Sequence, residues 1–336
     1  MKVNETVRNI LAECSVEGNV LKLPDRQLDK KTYDEVNKVL VKMGGKWNRK
    51  LRGHLFDRSP EDILEEAVLC GEYTDIGVVF SLADKKEYWA PAVTIINGKY
   101  YMYVSCMPTC SDDVHQQAMH VALSDTPNGP FVNAKQIIEP FSIDAHVVEN
   151  EAGLFIFYSV NDYEAERAGT YVVVDKMSDP FTPCGNPTPV VRPTLDEEIF
   201  MKNRFKQGQH WHTLEGAFYF NEGDWHYLIY SGNCYQNEYY YLGYAVAKTA
   251  ERDLTKIKFT KYPNENTYCP LISKNHFEAG TGHNSVIKDN GAWYAVYHGR
   301  DLVPDKRLTG DDRTARICRL ELDGEKLTAI RFEDKI

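Results

Sequence analysis

Apolar positions in the first 75 or so residues recur at helical spacing. Val7, Ile10 and Leu11 share one face of a first helix. Over residues 28–43, Tyr33, Val36, Val39 and Leu40 are spaced for burial, and the pattern stops at Gly44-Gly45, a helix terminator. A third helix is predicted from Ser59-Pro60-Glu61-Asp62, with Ser59 as cap, Pro60 at the first helical position and Asp62 completing a capping-box-like pattern. It stops near Gly71. Residues 46–54 between the last two helices are basic and carry Trp47.

From Trp89 the pattern changes to a short strand, a polar turn with glycine, then a strand dense in aromatic residues. Val93-Thr94-Ile95-Ile96 leads through Asn97-Gly98 into Tyr100-Tyr101-Met102-Tyr103. The same order returns around Glu151-Ala152-Gly153, Glu222-Gly223-Asp224 and Asp289-Asn290-Gly291. Such turns between strands are hairpin signals. Third strands are visible at 119–123 and 242–247. The turn glycines are 55 to 70 positions apart, which leaves room for a hairpin plus about two strands, the content of a propeller blade. A β-sandwich has no need of so regular a repeat. The expectation is a mainly β chain: a helical domain over 1–75 and a β-propeller over 76–336.

The net charge of −10 disfavours nucleic acid as a partner and is compatible with a neutral ligand such as a sugar. The basic segment 46–54 reads as a solvated loop. Tyr is frequent, with 21 copies, which suits strands and also stacking on carbohydrate. The 8 cysteines are scattered singly, so they read as mostly reduced, buried thiols. Residues 1–16 carry charges throughout and do not form a secretory signal, and no apolar run reaches membrane-spanning length. A cytoplasmic protein without membrane contact is expected.

Candidate chemistry follows from the phase of the repeat. Counting back eight or nine residues from each turn glycine reaches Ala90, Asp144, Glu215 and His283. In a propeller such positions converge on the central funnel. A crowded carboxyl pair there suits acid/base work, because one group is pushed up and kept protonated while the other stays charged. His210 and His212 flank Trp211, but without a third ligand they read as blade-edge residues.

Several motifs carry a specific resemblance. Tyr88-Trp89-Ala90-Pro91-Ala92-Val93, Ile143-Asp144-Ala145, Leu214-Glu215-Gly216 and Gly280-Thr281-Gly282-His283-Asn284-Ser285 resemble successive blade signatures of glycoside hydrolase family 43. Ser124-Asp125-Thr126-Pro127-Asn128-Gly129-Pro130-Phe131 and Arg313-Thr314-Ala315-Arg316 do as well. The resemblance implies a five-bladed propeller acting on arabinose- and xylose-containing glycans with inversion. It implies Glu215 as general acid and Asp144 as the carboxylate that orients it and raises its pKa. Trp89 and Arg313 resemble sugar-binding residues. His283 resembles a central histidine that in some members helps hold a calcium ion or its waters; no cofactor is required. The segment LPDRQLDKKTYDEVNKVL, with GGKWNRK and LFD after it, resembles a small domain of phage and mobile-element proteins that carries no known chemistry.

One departure matters. The resemblance places the general base in the first blade, on an Asp usually followed by Pro, and no Asp-Pro precedes Trp89. Asp75 is the nearest candidate and Asp84 the other. The recognisable propeller starts at the second blade, as though the first were missing or replaced, and this leaves an open edge for the helical domain or a second copy of the chain to cover. The expected function is a β-xylosidase or α-L-arabinofuranosidase acting on an oligosaccharide. The alternative is a carbohydrate-binding or weakly active propeller without a proper base.

Overall fold

The structure, a computed structural model, describes residues 3–56, 59–71, 82, 84–302 and 312–331. It separates into two compact units: 1–81 with 126–132, and 82–125 with 133–336. The boundary expected after residue 75 lies outside the described residues. No helix among the described residues is long and apolar enough to cross a membrane.

In the first unit, α1 (Glu5–Ala12) starts where the Asn4 side chain accepts the Val7 N–H at 2.9 Å. The strands β1 (Ser15–Glu17) and β2 (Val20–Lys22) follow, then α2 (Lys30–Lys42), capped by Asp29. After β3 (Lys46–Asn48) and β4 (Gly53–Leu55) comes α3 (Glu61–Cys70), closed by Gly71 in the left-handed conformation. The strands form one sheet in the order β1-β2-β4-β3. Val7, Ile10 and Leu11 pack with Val36, Val39, Leu40, Leu21 and Phe56. The unit is therefore not purely helical. Its strands are three residues long, too short for alternation to show in the sequence, and the basic segment is itself a hairpin. Tyr33 is exposed rather than buried.

The second unit consists of antiparallel meanders. The first contains β5 (Lys85–Ile96), β6 (Lys99–Pro108), β7 (Ala118–Ser124) and β8 (Val132–Ile138). The second contains β9 (Ile143–Asn150), β10 (Gly153–Asp162) and β11 (Gly169–Asp179), with the short β12 (Thr182–Pro183) and β13 (Thr188–Val191) on β11. β14 (Ile199–Met201) pairs with β15 (Trp211–Glu222), which opens the third meander with β16 (Trp225–Gly232), β17 (Tyr241–Lys248) and β18 (Thr260–Lys261). β19 (Glu278–Asp289), β20 (Ala292–Asp301), β21 (Thr314–Asp323) and β22 (Lys326–Arg331) form the fourth. A short parallel pairing of Gly169 with His212 and Thr170 with Thr213 links β11 to β15.

Strand alternation assigns each sheet to two cores. On β10, Phe155 and Phe157 face the third sheet with Leu214, Tyr219 and Leu228, while Ile156 and Tyr158 face the first with Tyr103 and Val121. Burying each such side chain contributes on the order of 1.5–3 kcal/mol, which explains the aromatic density of the strands. Ala295 and Tyr297 similarly face Tyr227 and Tyr244 of the third sheet. On the other face of the fourth sheet Ile287, Val296 and Ile317 are exposed, as are Val93 and Ile95 on β5. Lys261 and Glu198 form a fully buried ion pair at 2.5 Å, completed by the Thr194 and Leu195 N–H groups donating to Glu198. None of the described cysteine side chains is in a disulfide, and among them only Cys106, Cys234 and Cys318 are buried.

The innermost strands β5, β9, β15 and β19 share an irregularity. Each loses register six residues before the last pair of its hairpin, at Ile96, Asn150, Glu222 and Asp289 respectively. The residue at that point has positive φ: +42° at Ala90, +60° at Asp144, +60° at Gly216 and +48° at His283. This revises the phase read from the sequence, because the third member of the set is Gly216 and Glu215 stands one residue earlier. The turn glycine does not hold the same place in every turn, so counting from it is uncertain by one.

A Cβ on Gly216 would lie 3.1 Å from His283 Nδ1, on a backbone already at φ +60°. Gly216→Ala is expected to lower stability by about 1–3 kcal/mol, measured by thermal or denaturant unfolding.

Candidate active site

The four bulges line one cavity of about 550 Å³ together with a second of about 540 Å³ that shares Ala90, Asp144, His283, His298 and Arg313 with it. Trp89, Asp144, Glu215, His283 and Arg313, all singled out in the sequence, line the first cavity. Asp75 lies outside the described residues. Asp84 is described and does not line the cavity. Among the described residues the other carboxylates lining it are Glu87 and Asp112, and Asp112 is tied to Lys86 at 2.8 Å.

Asp144 is buried, and its Oδ2 accepts the Gly216 N–H at 3.1 Å, so the bulge of β9 is fastened to the bulge of β15. Burial pushes the Asp144 carboxyl up to about 7, against the pull of that N–H. Glu215 is also pushed up to about 7, first by burial and then by the charge of Asp144. Tyr240 O–H donates to Glu215 Oε1 at 2.8 Å and, with His283 and Arg313, favours the charged form. Both carboxyls are thus raised, and a proton on one of the two relieves the repulsion between them.

His283 packs its ring on Gly216, and its backbone N–H donates to Ser231 Oγ at 2.8 Å. Burial holds its imidazole below the ordinary histidine range. His298 is lowered to about 3 by burial and by Arg313, His283 and Arg300, in that order. Its Nδ1 has no hydrogen-bond partner among the described residues, and neither amide atom of Asn284 in the second cavity has one. These buried polar groups are available to sugar hydroxyls or water.

The sequence reading missed Tyr240, Tyr235 and His298, which also line the cavity. Tyr240 lies inside the run Tyr239-Tyr240-Tyr241, just before β17, with no local mark that sets it apart from its neighbours. Gly282 makes room for it, since a Cβ there would collide with the Tyr240 ring. The ring of Tyr240 also stacks on His298, with centroids 5.7 Å apart.

A calcium ion takes about six to eight oxygen ligands. His283 offers a nitrogen, and no three His, Cys, Asp or Glu side chains converge among the described residues. His212 Nδ1 lies 3.2 Å from the Ala168 carbonyl oxygen and its Nε2 3.1 Å from Arg167 Nη1. His210 Nδ1 accepts the Asn203 N–H at 3.2 Å. Both histidines are thus engaged by protein groups.

A family model described as glycosyl hydrolases family 43 matches residues 71–326. The chain is 28% identical over 238 residues to an extracellular exo-α-(1→5)-L-arabinofuranosidase of Streptomyces avermitilis, covering 66% of this chain and 44% of that protein. It is 26% identical over 196 residues to xylosidase/arabinosidase 43A of Humicola insolens, covering 47% of this chain and 59% of that protein. The chain thus spans about half the length of the curated relatives it matches. A solved thermostable family-43 glycoside hydrolase is similar at 30% identity and a TM-score of 0.57, covering 73% of this chain and 75% of that one. The expectation of a cytoplasmic protein is corrected here: the Streptomyces relative is extracellular, and charge and composition alone do not set the compartment.

Two substitutions separate the influences on Glu215. Tyr240→Phe removes a donor from the carboxylate and is expected to move the titration of Glu215 up by about one unit or less. Asp144→Asn removes a like charge and is expected to move it down. A carbon-13 NMR titration of the side-chain carboxyls checks the opposite signs.

Proposed function

The chain belongs to the glycosyl hydrolases of family 43, and from that premise we propose that it hydrolyses arabinose- or xylose-containing oligosaccharides with inversion, as an α-L-arabinofuranosidase or β-xylosidase. The observation that carries this reading is the raised carboxyl pair in a cavity lined by aromatic and polar groups. Protonated Glu215 gives its proton to the leaving glycosidic oxygen. Charged Asp144, held by the Gly216 N–H, favours that protonated state and fixes the approach of β9 to β15. Trp89 offers a flat face to the C–H side of the sugar, and Arg313 donates to its hydroxyls. Inversion also needs a base that activates water on the opposite face of the ring. We assign that part to Asp75; Glu87 is the rival already in the cavity.

The family likeness implies five blades, and the described residues form four meanders. The exposed Ile287, Val296 and Ile317 on the outer face of the fourth sheet support a first blade that is missing or replaced. In this reading that face is what a second copy of the chain covers. The first unit, with its likeness to phage and mobile-element proteins, is a domain fusion to which no chemistry is assigned.

Release of nitrophenol from aryl arabinofuranosides and xylosides is the direct test. Glu215→Gln is expected to reduce it at least about 10²-fold, and proton NMR of the first-formed sugar is expected to show the inverted anomer. Undiminished release in that variant removes Glu215 from the mechanism. Sugar binding without turnover by the unaltered protein favours the binding module instead. Activity is expected to fall as pH rises through about 7, where Glu215 loses its proton. In Asp144→Asn that alkaline limb is expected at lower pH, because the charge that raised Glu215 is gone.

A further inference from the structure

The first unit has an uneven charge that the net figure of −10 for the whole chain conceals. No acidic residue lies between Glu35 and Asp57, and that interval holds Lys38, Lys42, Lys46, Arg49, Lys50 and Arg52. The last four fall on β3 or on the turn that joins it to β4. All six are exposed, and none is paired with a carboxylate among the described residues. The turn is ordered by its own sequence. Asn48 Oδ1 accepts the N–H groups of Lys50 and Leu51 at 3.0 and 3.2 Å, and Arg52 takes φ +51°.

Trp47 stands among these cations. It is paired with His54 across the hairpin, and the two rings meet edge to face with centroids 5.3 Å apart. His54 is fully buried, and its Nε2 lies 2.9 Å from Asn37 Oδ1 on α2. The indole is thus propped by a ring that the core holds, while 50% of it stays exposed. β3 is also the edge of its sheet, in the order β1-β2-β4-β3.

Lysine on an edge strand guards against unwanted strand pairing, which accounts for Lys46. It does not account for a large exposed indole on the same edge. A supported aromatic face among mobile cations suits single-stranded nucleic acid, because the cations meet phosphates while the ring stacks on an unpaired base. An anionic membrane surface would attract the same cations, but docking there buries an apolar face. The tip of this hairpin is Arg49-Lys50-Leu51-Arg52, a lone leucine between charges.

We propose that the β3–β4 hairpin binds single-stranded nucleic acid, with Trp47 as the stacking platform and Lys46, Arg49, Lys50 and Arg52 on the phosphates. The site is independent of the sugar cavity and of the glycosidase reading. It also refines the expectation drawn from net charge, which averages a basic hairpin with a more acidic remainder.

The test titrates the full chain into fluorescein-labelled oligothymidylate, oligouridylate and a DNA duplex of equal length, read by anisotropy between about 50 and 200 mM salt. Both single strands are expected to bind and to weaken as salt rises. Trp47→Ala is expected to lower the affinity about tenfold. Arg49→Gln combined with Lys50→Gln is expected to reduce the slope of log affinity against log salt by about one to two. Lys30→Gln combined with Lys31→Gln, at the start of α2, makes the same change in net charge and is expected to leave that slope alone. All these positions are exposed, and circular dichroism confirms that each variant is folded. A preference between the two single strands tells DNA from RNA and supports the site either way. Three results overturn it: no binding at the lowest salt, equal losses in the α2 pair and the hairpin pair, or duplex bound as tightly as single strand. Binding to phosphatidylserine vesicles but to neither oligonucleotide overturns it as well, in favour of a membrane surface.

Discussion

The site depends on one backbone constraint, the left-handed bulge that interrupts each innermost strand. In a regular strand side chains alternate between two faces, and on β9 and β15 both faces are committed to packing against neighbouring sheets. No side chain of an unbroken inner strand would point along the sheet edge toward the common axis. A bulge re-aims one residue and bends the strand. Repeated at Ala90, Asp144, Gly216 and His283, it brings inner strands close enough for Asp144 to reach the Gly216 amide and for His283 to lie on the Gly216 backbone. The aromatic cores hold the sheets in place, but the bulges decide what faces the cavity.

That arrangement sets the electrostatics. Two carboxyl groups withdrawn from water and placed near one another cannot both be charged cheaply, and a single shared proton relieves the conflict. The surrounding groups tune this balance without abolishing it: an amide on Asp144, a phenol on Glu215, and Arg313 with His283 nearby. The contrast with Glu198 is instructive. It is fully buried, and Lys261 and two backbone amides meet it directly, so its role is structural.

Much of this was legible in the chain. Turn glycines followed by aromatic strands marked the hairpins, and the register pairs at Ile96–Lys99, Asn150–Gly153, Glu222–Trp225 and Asp289–Ala292 lie where those turns were expected. Asp144, Glu215, His283, Trp89 and Arg313 do meet in one cavity. What escaped did so for physical reasons. Three-residue strands in the first unit leave no period to detect. The phase of Glu215 was off by one because turn types differ. Tyr240 and His298 reach the cavity through contacts between blades, so neither has a local signature.

Three of the four bulges also act as sockets, each aiming its own side chain at the same central space, while Gly216 is kept bare by the His283 ring packed on it. Two sockets hold a carboxylate and an imidazole. The third, at Ala90, lines both cavities with a methyl group at φ +42° and contributes no chemistry of its own. A scaffold of this kind separates backbone from reactivity: a residue that tolerates positive φ can change what a socket presents without rebuilding the strand.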